Sequence, residues 1–232
     1  MSFYQDLTPY YDEIFPANHK QLDFIQSYIQ QGDLLDVGAG TGNTAAALAQ
    51  LGYHVTAIEP EPSMYENLKE KAQHTAQLTA LPLTMQQCSE LQDQYDAIYC
   101  IGNTLVHLNS VEEVGAWLKE TRRLLRKDGT LIIQIVNIEK IKDHKEFHFP
   151  SMVKKDFTFD RAYDLNGEKI KFTTSITTDD SNFSNTISLL KLTAQALLAS
   201  ISEAGFQSVE AFSSFEKTPY DPNGAALIVA AR

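Results

Sequence analysis

Positive charge is scarce in this chain: 19 lysines and arginines stand against 30 aspartates and glutamates, a formal charge of −11 over 232 residues. A protein that grips a nucleic-acid backbone normally presents a basic face, so a nucleic-acid partner is disfavoured. Cysteine is scarcer still. Cys88 and Cys100 lie near predicted strands without C-x-x-C spacing, so neither a disulfide framework nor a zinc site is suggested, no metal is expected, and the compartment reads as reducing. No apolar run approaches the roughly eighteen residues of a membrane span, and the N-terminus lacks a basic region followed by an apolar one. The expectation is a soluble cytoplasmic protein without a membrane partner. Two nucleotide signatures are missing as well: G-x-x-x-x-G-K does not occur, and the third glycine of G-x-G-x-x-G would fall on Asn43.

What is present centres on residues 33–59, DLLDVGAGTGNTAAALAQLGYHVTAIE. Leu34, Leu35 and Val37 form an apolar run suited to a buried parallel strand, and Gly38, Gly40 and Gly42 follow at once as a tight turn. The spacing predicts a helix over 44–51, whose first amides lack partners inside the helix and point at whatever lies above. A second strand over 55–58 ends at Glu59. This is a β-α-β unit with an acid about twenty positions past the first glycine, the layout that holds a ribose by its hydroxyls. Asp36 inside the first strand suits a cationic ligand and would repel a pyrophosphate, which argues against dinucleotides.

The run Leu35-Asp36-Val37-Gly38-Ala39-Gly40-Thr41-Gly42 is similar to the first motif of the class I S-adenosylmethionine-dependent methyltransferases. The resemblance extends over nearly the whole chain. It implies a doubly wound, seven-stranded, mostly parallel α/β sheet with S-adenosylmethionine as cofactor. Glu59 is then expected at the ribose hydroxyls, the three glycines and Ala39 at close backbone approach, and Asp36 at the loop or the cofactor's ammonium. Pro60 and Ile101 complete the expected cofactor contacts. Met64 stands where the family places an apolar residue against the adenine, although core packing explains it too. The family usually carries an acid on the adenine amino group where this chain reads Cys88-Ser89-Glu90-Leu91, so Ser89 or backbone near Cys88 takes that place.

The leader, residues 1–19, is rich in tyrosine and phenylalanine, and a helix is expected over 20–30. In the family a Y-D-x-I-F segment, here Tyr11-Asp12-Glu13-Ile14-Phe15, closes over cofactor and substrate. Tyr4, Tyr10 and Tyr11 are thus candidate pocket walls, since aromatic faces attract a sulfonium or ammonium; alternatively they staple the leader to the core. Further strands are expected over 81–87, 95–101 and 130–136, and helices over 63–73 and 111–126. The loop Gly102-Asn103-Thr104-Leu105-Val106-His107-Leu108 falls at the carboxyl end of a strand, facing the glycine turn. Its G-N-x-x-x-H-L pattern is similar to one in small-molecule methyltransferases, including the glycine and sarcosine N-methyltransferases, which places Asn103 near the methionine part of the cofactor or the acceptor and His107 near the acceptor. A turn-forming asparagine and a loop-capping histidine are the plainer readings.

Residues 138–192 break the α/β rhythm. His144 to Phe149 reads as loop, and alternating strands are expected over 157–165, 169–178 and 183–192, with Asn166-Gly167 as a hairpin turn. This predicts an antiparallel β cap inserted into a domain formed by 1–137 and 193–232, which closes with a helix over 193–204 and strands over 206–212 and 225–231. Arg161 and Tyr163 share a strand face and could bind an acceptor carboxylate or hydroxyl, or pair with acids on the outer face. Methyl transfer from a sulfonium is a direct displacement, so no enzyme nucleophile is required, and His107 is the one catalytic candidate. The expected partner is a small-molecule methyl acceptor. Two alternatives stay open: a module that binds the cofactor or its product without turnover, and an NAD-dependent oxidoreductase.

Overall fold

The computed structural model describes residues 4–232. After α1 (Thr8–Ile14) and α2 (His19–Gln26), the chain alternates β1 (Asp33–Val37), α3 (Asn43–Gln50), β2 (His54–Ile58), α4 (Pro62–His74), β3 (Leu78–Leu81), β4 (Tyr95–Cys100), α5 (Val111–Leu124) and β5 (Leu125–Val136). It then runs through β6 (Glu146–His148), β7 (Met152–Val153), β8 (Thr158–Asp164), β9 (Lys169–Thr177) and β10 (Asn182–Leu190), and closes with α6 (Ala194–Glu203), β11 (Val209–Phe212) and β12 (Ala226–Ala231). Among the described residues no helix is long and apolar enough to cross a membrane.

Seven strands form one sheet in the order β11-β12-β5-β4-β1-β2-β3, with β12 antiparallel to both its neighbours and the rest parallel. The expected doubly wound sheet with its terminal antiparallel pair is therefore present. From β1 the chain fills one side with β2 and β3, then crosses back to place β4 on the other. Such a reversal leaves a crevice above the carboxyl ends of β1 and β4. The second sheet, β10-β9-β8-β6 with β7 on β8, is antiparallel and is the inserted cap.

Local sequence explains the elements that frame the crevice. In β1, Leu34, Leu35 and Val37 are wholly buried because both sheet faces are covered. In α5, Ser110 caps the first turn by accepting from the Glu113 amide at 3.3 Å, and Val114, Trp117, Leu118, Thr121 and Leu124 turn one stripe inward. α1 has only seven residues, too few to persist alone. Leu7 and Ile14, buried to 4% and 3% exposure, pin it to Phe157, Phe159 and Ile176 of the cap. Each such burial is worth up to about 1.5–3 kcal/mol.

Three expectations about elements are corrected. The third strand ends at Leu81, and residues 85–90 form a short helix. Thr84 and Gln87 make a reciprocal capping box that starts it and ends the strand. His144 to Phe149 is not all loop: Glu146–His148 pairs with β8. The fifth strand leaves α5 directly, Tyr95 pairing with Leu125 before the ladder resumes at Ala97 and Thr130. Between them the chain bulges through Asp128, whose φ is +66°.

Candidate functional site

The turn after β1 is pinned from two sides. The Gly38 and Ala39 amides both donate to the Ile58 carbonyl at 3.0 Å, which seats the turn over the end of β2. The Gly40 amide donates to Glu59 Oε2 at 2.8 Å, while Glu59 Oε1 accepts from the Glu61 amide at 2.9 Å. Glu59 is 8% exposed, and burial outweighs these two bonds and holds its carboxyl above the ordinary value. Glycine is required at two positions on grounds of both angle and space. Gly38 has φ +75° and a Cβ there would stand 2.2 Å from Thr104 Cγ2; Gly40 has φ +58° and its Cβ would stand 2.8 Å from the Tyr11 hydroxyl. Gly42, also left-handed, occupies the N-cap of α3.

Beneath the turn Asp36 is 3% exposed, and burial pushes its carboxyl up to about 8, reinforced by the Glu59 charge and opposed by the Tyr99 hydroxyl. Two acids whose ionised forms are disfavoured thus flank the turn, Asp36 lining the crevice and Glu59 behind it. A cation placed there offsets that cost, so the residues fit a sulfonium- and ammonium-bearing cofactor and not a pyrophosphate.

Opposite, the end of β4 is held by Asn103 in a left-handed conformation, φ +67°. Its Oδ1 accepts from the Val136 amide at 2.8 Å and its Nδ2 donates to Tyr163 Oη at 3.0 Å, so one side chain ties β4 to β5 and to the cap. Gly102 donates to Gln134 Oε1 at 2.7 Å. His107 lies in the single helical turn that follows, 3.1 Å from the Tyr4 hydroxyl through Nε2. Its side chain is exposed along the cavity, and desolvation by the surrounding walls lowers the imidazole below its ordinary value, so it is uncharged at neutral pH.

A cavity of about 470 Å³ joins these walls. Of the cofactor candidates, Asp36, Gly38, Ala39, Ile101, Asn103 and Tyr11 line it. Of the acceptor candidates, Tyr4, His107, Arg161 and Tyr163 do so. Gly40, Gly42 and Glu59 support the turn from behind. Met64 is packed under α4 at 1% exposure, Pro60 is exposed, and Ser89 is exposed with its hydroxyl bonded to the Gln86 carbonyl. Tyr10 packs on Phe157 of the cap, ring centroids 4.8 Å apart.

The outer wall is made by the cap, where Phe149, Phe159, Phe172 and Thr174 join the cavity without having been singled out in the sequence. Phe159, Phe172 and Thr174 lie at alternating positions on strands, a pattern that marks a face and not its use. α1 roofs the turn. Thr8 and Ser63 meet hydroxyl to hydroxyl at 2.8 Å, and Asp12 accepts from Thr41, from Asn43 Nδ2 at 3.1 Å and from Lys71 Nζ at 2.7 Å. Burial pushes the Asp12 carboxyl up, but the Lys71, Thr41 and Asn43 bonds prevail and hold it below its ordinary value. Asn43, which breaks the dinucleotide fingerprint, also donates to the Phe15 carbonyl at 2.8 Å. That latch was invisible in sequence because its members lie about thirty to sixty positions apart.

Residues 34–129 match the family model described as a methyltransferase domain. The chain is 26% identical over 145 residues to the putative methyltransferase YqeM of Bacillus subtilis, covering 60% of this chain and 58% of that one. It is 30% identical over 124 residues to the glycine/sarcosine N-methyltransferase of Aphanothece halophytica, covering 52% and 47%. The chain thus spans about half the length of the curated relatives it matches. In fold it is similar to an S-adenosylmethionine-dependent methyltransferase from Clostridium acetobutylicum, with TM-score 0.83, 13% identity and coverage of 100% and 99%.

Proposed function

We propose that the chain, whose residues 34–129 match a methyltransferase domain, transfers a methyl group from S-adenosylmethionine to a small-molecule acceptor. The observation that carries this reading is the glycine turn over buried Asp36, opening into a cavity that the leader and the cap enclose. The cofactor, when bound, supplies a methyl group on a cationic sulfur that an acceptor lone pair displaces in line.

The chain's own groups bind, orient and exclude water. Backbone at Gly38, Ala39 and Gly40 allows close approach of the cofactor, Glu59 serves the ribose, and Asp36 faces the positive charge. Each Glu59 oxygen accepts one amide bond and retains a further lone pair for a hydroxyl. Tyr4 and Tyr11 hydroxyls stay protonated, since burial raises both well above the ordinary phenol value. They therefore donate hydrogen bonds and present neutral ring faces to a cation. In the tautomer whose Nε2–H donates to the Tyr4 hydroxyl, uncharged His107 keeps Nδ1 as the acceptor for a proton of the substrate.

Calorimetric titration with S-adenosylhomocysteine, with NAD as comparison, tests the reading. Binding of the first alone is the expected result. A preference for NAD overturns it.

A further inference from the structure

The cap face that closes the cavity is ordered in rows. Antiparallel register sets Phe147, Tyr163, Phe172 and Ile187 side by side, then Arg161 beside Thr174 and Asn185, then Phe159, Ile176 and Phe183. Phe149 extends the middle row, its amide donating to the Arg161 carbonyl at 2.9 Å. Arg161 is thus a single cation in a polar row between two apolar ones. Its guanidinium carbon stands 4.9 Å from the Phe149 ring centroid and 5.6 Å from that of Phe159.

Among the described residues no ion pair includes Arg161, and its Nε is buried without a hydrogen-bond partner. In a chain with a net charge of −11, acids are plentiful. Arg126 shows the usual outcome, bonded to Asp33 at 2.6 Å and Asp96 at 2.5 Å. The acid that reaches the Arg161 row, Asp6 of the leader, instead accepts from Asn185 at 3.0 Å. A partly buried guanidinium with no counter-ion is costly, and the flanking rings recover only part of that cost. Burial correspondingly lowers the Arg161 value.

We propose that Arg161 receives a carboxylate of the methyl acceptor, so that the substrate is a small carboxylic acid whose body lies against Phe149, Phe159 and Tyr163. The inference rests on the methyltransferase reading of the same cavity. A carboxylate matches the planar guanidinium fork and its single charge. A phosphate dianion is under-neutralised there, because among the described residues Arg161 is the one lysine or arginine lining the cavity and Asp36 lies on its opposite wall. The cofactor's own carboxylate is the competing occupant. The cofactor wall is built from the ends of β1 and β4, whereas Arg161 belongs to the facing sheet, two residues along β8 from the Tyr163 that meets Asn103. The acceptor would then lie with its acid group at Arg161 and its nucleophile toward His107.

The test titrates the full chain, saturated with S-adenosylhomocysteine, with glycine, sarcosine, phenylalanine and phenylacetate, each against its amide, in wild type, Arg161→Gln and Arg161→Lys. The expected result is binding of at least one carboxylate about tenfold or more tighter than its amide in wild type, loss of that ratio to within about twofold in Arg161→Gln, and partial retention in Arg161→Lys. S-adenosylhomocysteine affinity should move less than about twofold in either variant. The proposal is overturned by no carboxylate preference in wild type, by a preference that survives Arg161→Gln, or by a variant that loses cofactor affinity and keeps the acceptor ratio. That last result would assign Arg161 to the cofactor. If the glutamine variant does not fold, the wild-type ratio and the lysine variant decide. Failure of wild type to bind S-adenosylhomocysteine strikes the methyltransferase reading, and the acid-against-amide comparison then reads Arg161 on the chain alone.

Discussion

Both carboxylate oxygens of Glu59 are held by backbone amides, one from the glycine turn and one from the start of α4. Replacement by alanine therefore unties the Gly40 and Glu61 amides as well as removing acceptors for the cofactor. Glu59→Ala is expected to weaken S-adenosylhomocysteine binding by about 1.5–3 kcal/mol, measured by calorimetry. Unchanged affinity would show that the ribose lies elsewhere. The position of Glu59 was legible in the sequence because the strand and helix lengths of a β-α-β unit set its distance from Gly38. The contact of His107 with Tyr4 was not legible, because the two lie about a hundred positions apart in the chain.

The leader is the element whose role depends most on contacts. α1 lies over the glycine turn through the Thr8–Ser63 hydroxyl pair, the Asp12 latch to Thr41, Asn43 and Lys71, and the apolar seat of Leu7 and Ile14. With hydroxyl oxygens 2.8 Å apart, Thr8→Cys combined with Ser63→Cys places two sulfurs within reach of a disulfide. The oxidised double variant should lose exchange of S-adenosylhomocysteine and regain it on reduction, read by the rate of ligand release. Cys88 and Cys100 are wholly buried and leave the engineered pair undisturbed. Exchange at the wild-type rate in the oxidised protein would show that α1 does not gate the site. The Y-D-x-I-F pattern flagged this segment, but the partners of Asp12 come from the glycine turn, α3 and α4 and could not be read from it.

At the scale of the whole molecule, the buried acids couple stability to pH. Asp36, pushed up to about 8, and Glu59, also raised, both bind protons more tightly folded than unfolded. Their contribution is complete below the ordinary carboxylate range and is lost as pH rises toward about 8. The ligand-free protein should therefore lose stability between about pH 5 and 8.5, by roughly 2–5 kcal/mol for Asp36, and Asp36→Asn should flatten the profile in thermal melts. A slope unchanged by Asp36→Asn would place the pH dependence elsewhere. Asp12, held below its ordinary value, acts in the opposite sense and only under more acid conditions. Hydrophobic periodicity, glycine spacing and the placement of Asp36 and Glu59 determined, from the sequence by itself, a doubly wound sheet with a nucleoside-type turn, since each is set by contacts within one β-α-β unit or one strand. Only the tertiary structure decided which aromatic rows face the crevice, that Arg161 turns inward without a counter-ion among the described residues, and that Asn43 latches the leader. These depend on register between strands and on segments far apart in the chain, where local pattern carries no information about partners.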